Sequence, residues 1–110
     1  MSKRVSNYQS MFHVGKRYWV TNPGELCSDN GDSPVTDILE CRMALPYIEA
    51  EYPTYFTEDY ISNDQYLPDY PKYCFIAIDT EQNRIDIKWN PQPNGRANNR
   101  AGQVCAPYGK

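Results

Sequence analysis

A chain of 110 residues with a formal net charge of −3 has room for one domain and lacks the concentrated positive field that phosphate binding requires. Its hydrophobic content of 40%, which includes ten tyrosines, is thin for a fold held by burial alone, and no apolar run approaches the roughly 20 residues that span a bilayer. Nucleic-acid binding and a membrane-spanning helix are thereby set aside, and the four cysteines become the expected source of stability.

Residues 1–15 form a polar arm in which Met11, Phe12 and Val14 make a small apolar cluster; the remainder, 16–110, reads as a single domain. Lys3, Arg4, Lys16 and Arg17 make the arm basic, and Arg96 with Arg100 adds a sparser patch, both too thin to outweigh the acidic whole. No apolar run follows the first basic residues, so no signal peptide is visible.

Tyr18, Trp19 and Val20 predict a short strand, closed by the turn sequence Asn22-Pro23-Gly24. Residues 28–33 are a second turn-rich loop. Thr36 is the expected cap of a helix with Asp37 in its first turn, and Ile38, Cys41, Leu45 and Ile48 recur at helical spacing on one face. Pro46 breaks that helix or starts a new turn, because its ring displaces the bond to the Arg42 carbonyl. Residues 47–70 show neither strand nor helix period and predict a long loop rich in tyrosine and acidic residues. Alternating Cys74, Ile76, Ile78 and Ile85, Ile87, Trp89 predict strands over 73–79 and 84–90, joined by a turn at 80–83. Residues 91–102 are loop chemistry, and 103–106 predict an edge strand.

Cys27, Cys41, Cys74 and Cys105 are separated by 14, 33 and 31 positions, with no Cys-x-x-Cys pair of the zinc or redox kind. Two disulfides are favoured over four free thiols or a scattered zinc site. Three connectivities are open; Cys41 to Cys74 would pin a helix to a strand, and Cys27 to Cys105 would tie the ends of the domain. Each closure is worth about 3–4 kcal/mol on the chain-entropy argument.

Catalysis needs a nucleophile or acid within reach of a base. His13 is the only histidine and sits in the arm, and no glycine-rich phosphate loop occurs, so neither an enzyme nor a bound cofactor is expected. Asp29, Asn30 and Asp32 surround Gly31 in a turn, but without calcium-loop spacing a solvated turn is the better reading and no metal is expected. The aromatic residues Tyr52, Tyr55, Phe56, Tyr60, Tyr66 and Tyr70, together with Met11 and Phe12 of the arm, are the candidate interaction residues. Tyrosine offers rigid area with a polar tip, suited to protein interfaces and sugar platforms alike, or to a substitute core.

The runs Val35-Thr36-Asp37 to Glu40-Cys41, Tyr70-Pro71-Lys72-Tyr73-Cys74-Phe75, Ile87-Lys88-Trp89-Asn90 and Val104-Cys105 resemble a four-cysteine module that recurs in proteins of algae and other protists, roughly "C…ITxxxEC…A…YPKGCY…VYFN…PTGSAN…IC". The likeness covers residues 15–105, and Asn94-Gly95-Arg96-Ala97-Asn98 is similar to its small polar segment. Tyr73 stands where the module has glycine, Pro46 interrupts its helix, and the following loop is longer. The resemblance implies a disulfide-framed fold and an algal setting, large DNA viruses of algae included, and no activity.

The fold expected is α+β: one main helix packed on a small three- or four-stranded antiparallel sheet, with two disulfides and long loops. The function expected is that of a non-enzymatic structural protein, a minor component of a large assembly such as a viral capsid, whose partners are other protein subunits and whose place is the virion or an extracellular coat. The alternative is an extracellular recognition module binding carbohydrate or protein through the tyrosine-rich loop.

Overall fold

The computed structural model describes residues 18–62, 67–92 and 94–106. The arm of residues 1–15, with Met11, Phe12 and His13, lies outside them, as does Tyr66.

Among the described residues six strands form one mixed sheet, in the order β1 (Trp19–Val20), β6 (Ala101–Ala106), β4 (Tyr73–Asp79), β5 (Arg84–Asn90), β3 (Phe56–Tyr60), with β2 (Ser33–Pro34) also on β6. This corrects the expected helix on a three- or four-stranded antiparallel sheet. Among the described residues strand dominates, β3 runs parallel to β5, and α-helix is confined to one short segment broken at Ala44. The break separates α1 (Ile38–Met43) from α2 (Leu45–Glu51), which places Pro46 in a first turn where its missing N–H costs nothing. The cap of α1 is Asp37, not Thr36: its carboxylate accepts from the Leu39 amide at 2.9 Å.

The β4–β5 hairpin follows from its alternating isoleucines. Ile76 faces Ile87 and Ile78 faces Ile85, and the turn closes through Asn83 at φ 56°, a left-handed conformation that asparagine tolerates. Asn83 also fixes the next strand. Its side-chain amide donates to the Thr54 carbonyl and its own carbonyl accepts from the Phe56 amide, so β3 starts beside β5.

β6 is the second departure from expectation: it is an interior strand, buried at all six residues. Gln103 O accepts from Thr21 N, whereas Val104 O accepts from Val35 N. Adjacent residues of a strand aim their backbone groups at opposite edges. Thus β1 lines one edge of β6, while β4 and then β2 share the other.

One face of the sheet carries Val104, Cys74, Ile76, Ile85, Ile87 and Trp89, packed against Cys41, Ala44 and Ile48 of the helical segment. On the reverse face Phe75 and Gln103 are cross-strand partners beneath the loops. Each face has its own disulfide. Cys41–Cys74 ties α1 to the core face, and Cys27–Cys105 ties a 3₁₀ turn (Cys27–Asn30) to the reverse face.

Candidate functional site

The four cysteines of the sequence reading are all consumed structurally, with Cα separations of 5.7 Å for Cys27–Cys105 and 5.4 Å for Cys41–Cys74. The acidic turn is equally committed. Asp29 accepts from the Leu26 amide, Asp32 from the Trp19 indole at 2.7 Å, and Asn30 donates to Glu25. Among the described residues no group of three or more His, Cys, Asp or Glu is arranged to hold a metal ion.

The tyrosine-rich stretch, expected as a loop, holds α2 and β3 and divides its aromatics between two jobs. Tyr52 and Tyr55 meet edge to face, with centroids 5.9 Å apart, and both pack on the core. Tyr70 stacks on buried Phe75 at 5.2 Å and 19°. These three serve as a supplementary core. Phe56 and Tyr60 do the opposite, at 71% and 45% exposure. The pairing of β3 with β5 explains why. Thr57 and Asp59 stand beside Ile85 and Ile87 on the core face, so Phe56, Glu58 and Tyr60 stand beside Arg84, Asp86 and Lys88 on the reverse face.

That outward corner mixes aromatic and charged groups. The Lys88 ammonium sits 6.0 Å from the Tyr60 ring centroid. Arg84 grips Asp86 with two nitrogens, at 2.9 and 3.1 Å, and the hydrogen bond to that carboxylate raises the guanidinium above its ordinary pKa. Among the described residues β3 ends the strand order. Because the Phe56 amide bonds toward β5, the backbone groups of Thr57 and Asp59 point away from it, to the outer edge of the described sheet.

A second exposed surface was not anticipated. Leu39 and Met43, one helical turn apart, are 64% and 60% exposed. Their signal was present in the sequence: both fall off the face marked by Ile38, Cys41, Leu45 and Ile48.

Behind these surfaces lie two polar hubs that hold the loops. The fully buried Asn90 side chain donates to the carbonyls of Leu67, Tyr70 and Pro71 and accepts from the Gln92 amide. Gln103 accepts from the Cys27 amide and donates to the Lys72 carbonyl. Arg96, within the segment that resembled the module's small polar run, pairs with Asp69 at the surface. No helix among the described residues is long and apolar enough to cross a membrane. No protein-family model, curated protein or solved structure matches the chain.

Proposed function

We propose that this protein is a non-enzymatic structural component of a protein assembly, of the kind that a minor capsid or cement protein represents. The observation that carries this reading is the outward corner of β3, where Phe56 is 71% exposed on the strand that ends the sheet among the described residues. A large apolar side chain beside backbone groups that no described strand pairs is a template for a partner strand, and chains that remain alone ordinarily blunt such edges. Two disulfides hold the sheet beneath it, as suits a protein that works in an oxidising setting such as a virion or an extracellular coat.

Membership of the four-cysteine module is part of the same proposal. Its support is the backbone at Tyr73, whose φ of 71° is a conformation that glycine, the module's residue at that step, adopts freely. The carbohydrate alternative has less behind it, since a sugar platform needs accessible ring faces and Tyr52, Tyr55 and Tyr70 pack internally.

Sedimentation of the protein from its native source, with mass spectrometry of what travels with it, tests the reading. Migration in a large particle at fixed stoichiometry is the expected result. Migration alone at the mass of one chain overturns it.

A further inference from the structure

Two asparagines of this chain, Asn30 and Asn94, are followed by glycine. Such a step is chemically labile, because a glycine nitrogen with no side chain beside it reaches the asparagine Cγ unhindered and displaces its amide. The two steps are built differently. Asn30 ends the 3₁₀ turn, and the Gly31 amide is tied to the carbonyls of both Cys27 and Ser28. The Asn30 side chain donates to Glu25 at 3.4 Å, and the Cys27–Cys105 disulfide anchors the turn. The Asn94 side chain is exposed and makes no hydrogen bond to a described residue. One long bond closes its turn, from the Gly95 amide to the Gln92 carbonyl at 3.3 Å.

Glycine at 95 has a packing reason. A Cβ there would lie 2.7 Å from both the Lys72 nitrogen and the Tyr70 carbonyl oxygen, so only glycine passes that close to the loop. Asparagine at 94 has no such reason. Beyond it, residues 95–98 clasp the same loop. The Arg96 amide donates to the Tyr70 carbonyl at 2.8 Å, the Arg96 guanidinium meets Asp69 at 2.8 Å, and Asn98 donates to the Asp69 carbonyl at 2.9 Å. Before it, Asn90 holds the Gln92 amide at 3.1 Å. Asn94 therefore lies between two clamped points.

We infer that Asn94–Gly95 is a self-modifying site whose spontaneous rearrangement releases this clasp, independently of the assembly reading. The Gly95 nitrogen loses its proton and bonds to Asn94 Cγ. The Cγ–Nδ2 bond breaks, ammonia leaves, and a cyclic imide closes. Water then opens the ring. Attack at Cγ yields aspartate; attack at the main-chain carbonyl yields isoaspartate, whose chain runs through Cβ and Cγ. Water is the sole co-reactant, and nothing is oxidised or reduced. Either product adds one negative charge, but isoaspartate also lengthens the main chain by one carbon between the two clamped points. The bond from the Arg96 amide to Tyr70 sits next to that insertion and opens to absorb it. Loss of ammonia makes the change one-way, so the modified fraction records the age of the folded chain.

The test incubates the purified, oxidised full-length chain in ¹⁸O-enriched water and maps its peptides by fragmentation that separates isoaspartate from aspartate. Heavy oxygen should enter at residue 94, in both products, severalfold faster than at residue 30. Hydrogen exchange at the Arg96 amide should accelerate in the aged chain and stay unchanged in Asn94→Asp, which carries the charge without the added length. Asn94→Gln, whose longer side chain closes the ring far more slowly, should keep both its mass and its Arg96 protection over the same period. Residue 94 is exposed, so equal melting temperatures of the fresh variants separate lost chemistry from lost folding. An Asn94 that stays intact in the folded chain yet converts in urea overturns the inference, as does conversion at Asn30 ahead of Asn94. Conversion that leaves Arg96 exchange unchanged overturns the release of the clasp.

Discussion

Asn90 Nδ2 donates to the Tyr70 carbonyl at 3.0 Å, joining the end of β5 to a loop twenty positions earlier in the chain. The same nitrogen reaches the carbonyls of Leu67 at 2.7 Å and Pro71 at 3.1 Å, so two hydrogens serve three acceptors. Asn90→Ala leaves the Pro71 carbonyl without its donor, while the Tyr70 and Leu67 carbonyls keep the Arg96 and Tyr70 amides, and is expected to cost about 1–3 kcal/mol in urea unfolding. Asn90→Asp is expected to cost more at neutral pH, because a carboxylate then faces three carbonyl oxygens. Its neutral form can donate to one of them, so the folded state raises the pKa of the introduced group. The folded state then binds more protons, and the variant should lose stability as pH rises from about 4. A variant whose stability is flat across that range would show that the hub is not closed to water.

The two disulfides close loops of 78 and 33 positions, each worth about 4 kcal/mol on the chain-entropy argument. Replacing both cysteines of either pair by alanine is expected to lower unfolding free energy by that order. Non-reducing peptide mapping should recover Cys27 joined to Cys105 and Cys41 joined to Cys74. Any other pairing contradicts the placement of one bond on each face of the sheet.

The β4–β5 hairpin was legible residue by residue, because a half-buried strand writes its face into alternating isoleucines. The helix was legible from the Ile38, Cys41, Leu45, Ile48 stripe, and Pro46 marked its interruption. β6 was half missed, because both of its faces are buried and Ala101, Gly102 and Ala106 are small, which leaves no alternation to find. β3 was missed for the converse reason. Thr57 is its only residue that is not exposed, and its position is set by Asn83, a contact between distant residues that local sequence does not encode. The aromatic composition of this stretch was therefore legible, but not its geometry. Phe56 and Tyr60 face outward and Tyr52, Tyr55 and Tyr70 do not, according to a strand register that only the assembled sheet defines.

Gly102 and Gly31 separate two reasons for glycine. A Cβ on Gly102 would lie 2.5 Å from the Thr21 carbonyl oxygen and 2.8 Å from Val20 Cγ1, so β1 would have to move away from β6. At Gly31 a Cβ meets nothing within 4 Å, and only the φ of 79° resists substitution. Gly31→Ala is expected to cost about 1 kcal/mol, and Gly102→Ala about 2–3 kcal/mol with loss of the β1 pairing. Hydrogen exchange at the Thr21 amide, which bonds the Gln103 carbonyl, should accelerate in Gly102→Ala and stay unchanged in Gly31→Ala. Equal effects in the two variants would mean that β1 is free to shift.

Tyr73 begins β4 with φ at 71°, which costs a residue with a bulky side chain about 1–2 kcal/mol. Its ring offsets part of that strain, lying 5.8 Å from the Trp89 ring centroid and 5.2 Å from the Lys72 ammonium. Tyr73→Gly removes strain and contact together, so its stability should fall within about 1 kcal/mol of the parent. Tyr73→Val keeps the strain, adds a β-branch and forfeits the ring, and should lose about 2 kcal/mol or more. Urea unfolding of the two variants side by side gives the comparison. If glycine proved as damaging as valine, the ring contacts rather than the backbone would govern this position, and the left-handed turn into β4 would not be the reason a glycine suits it.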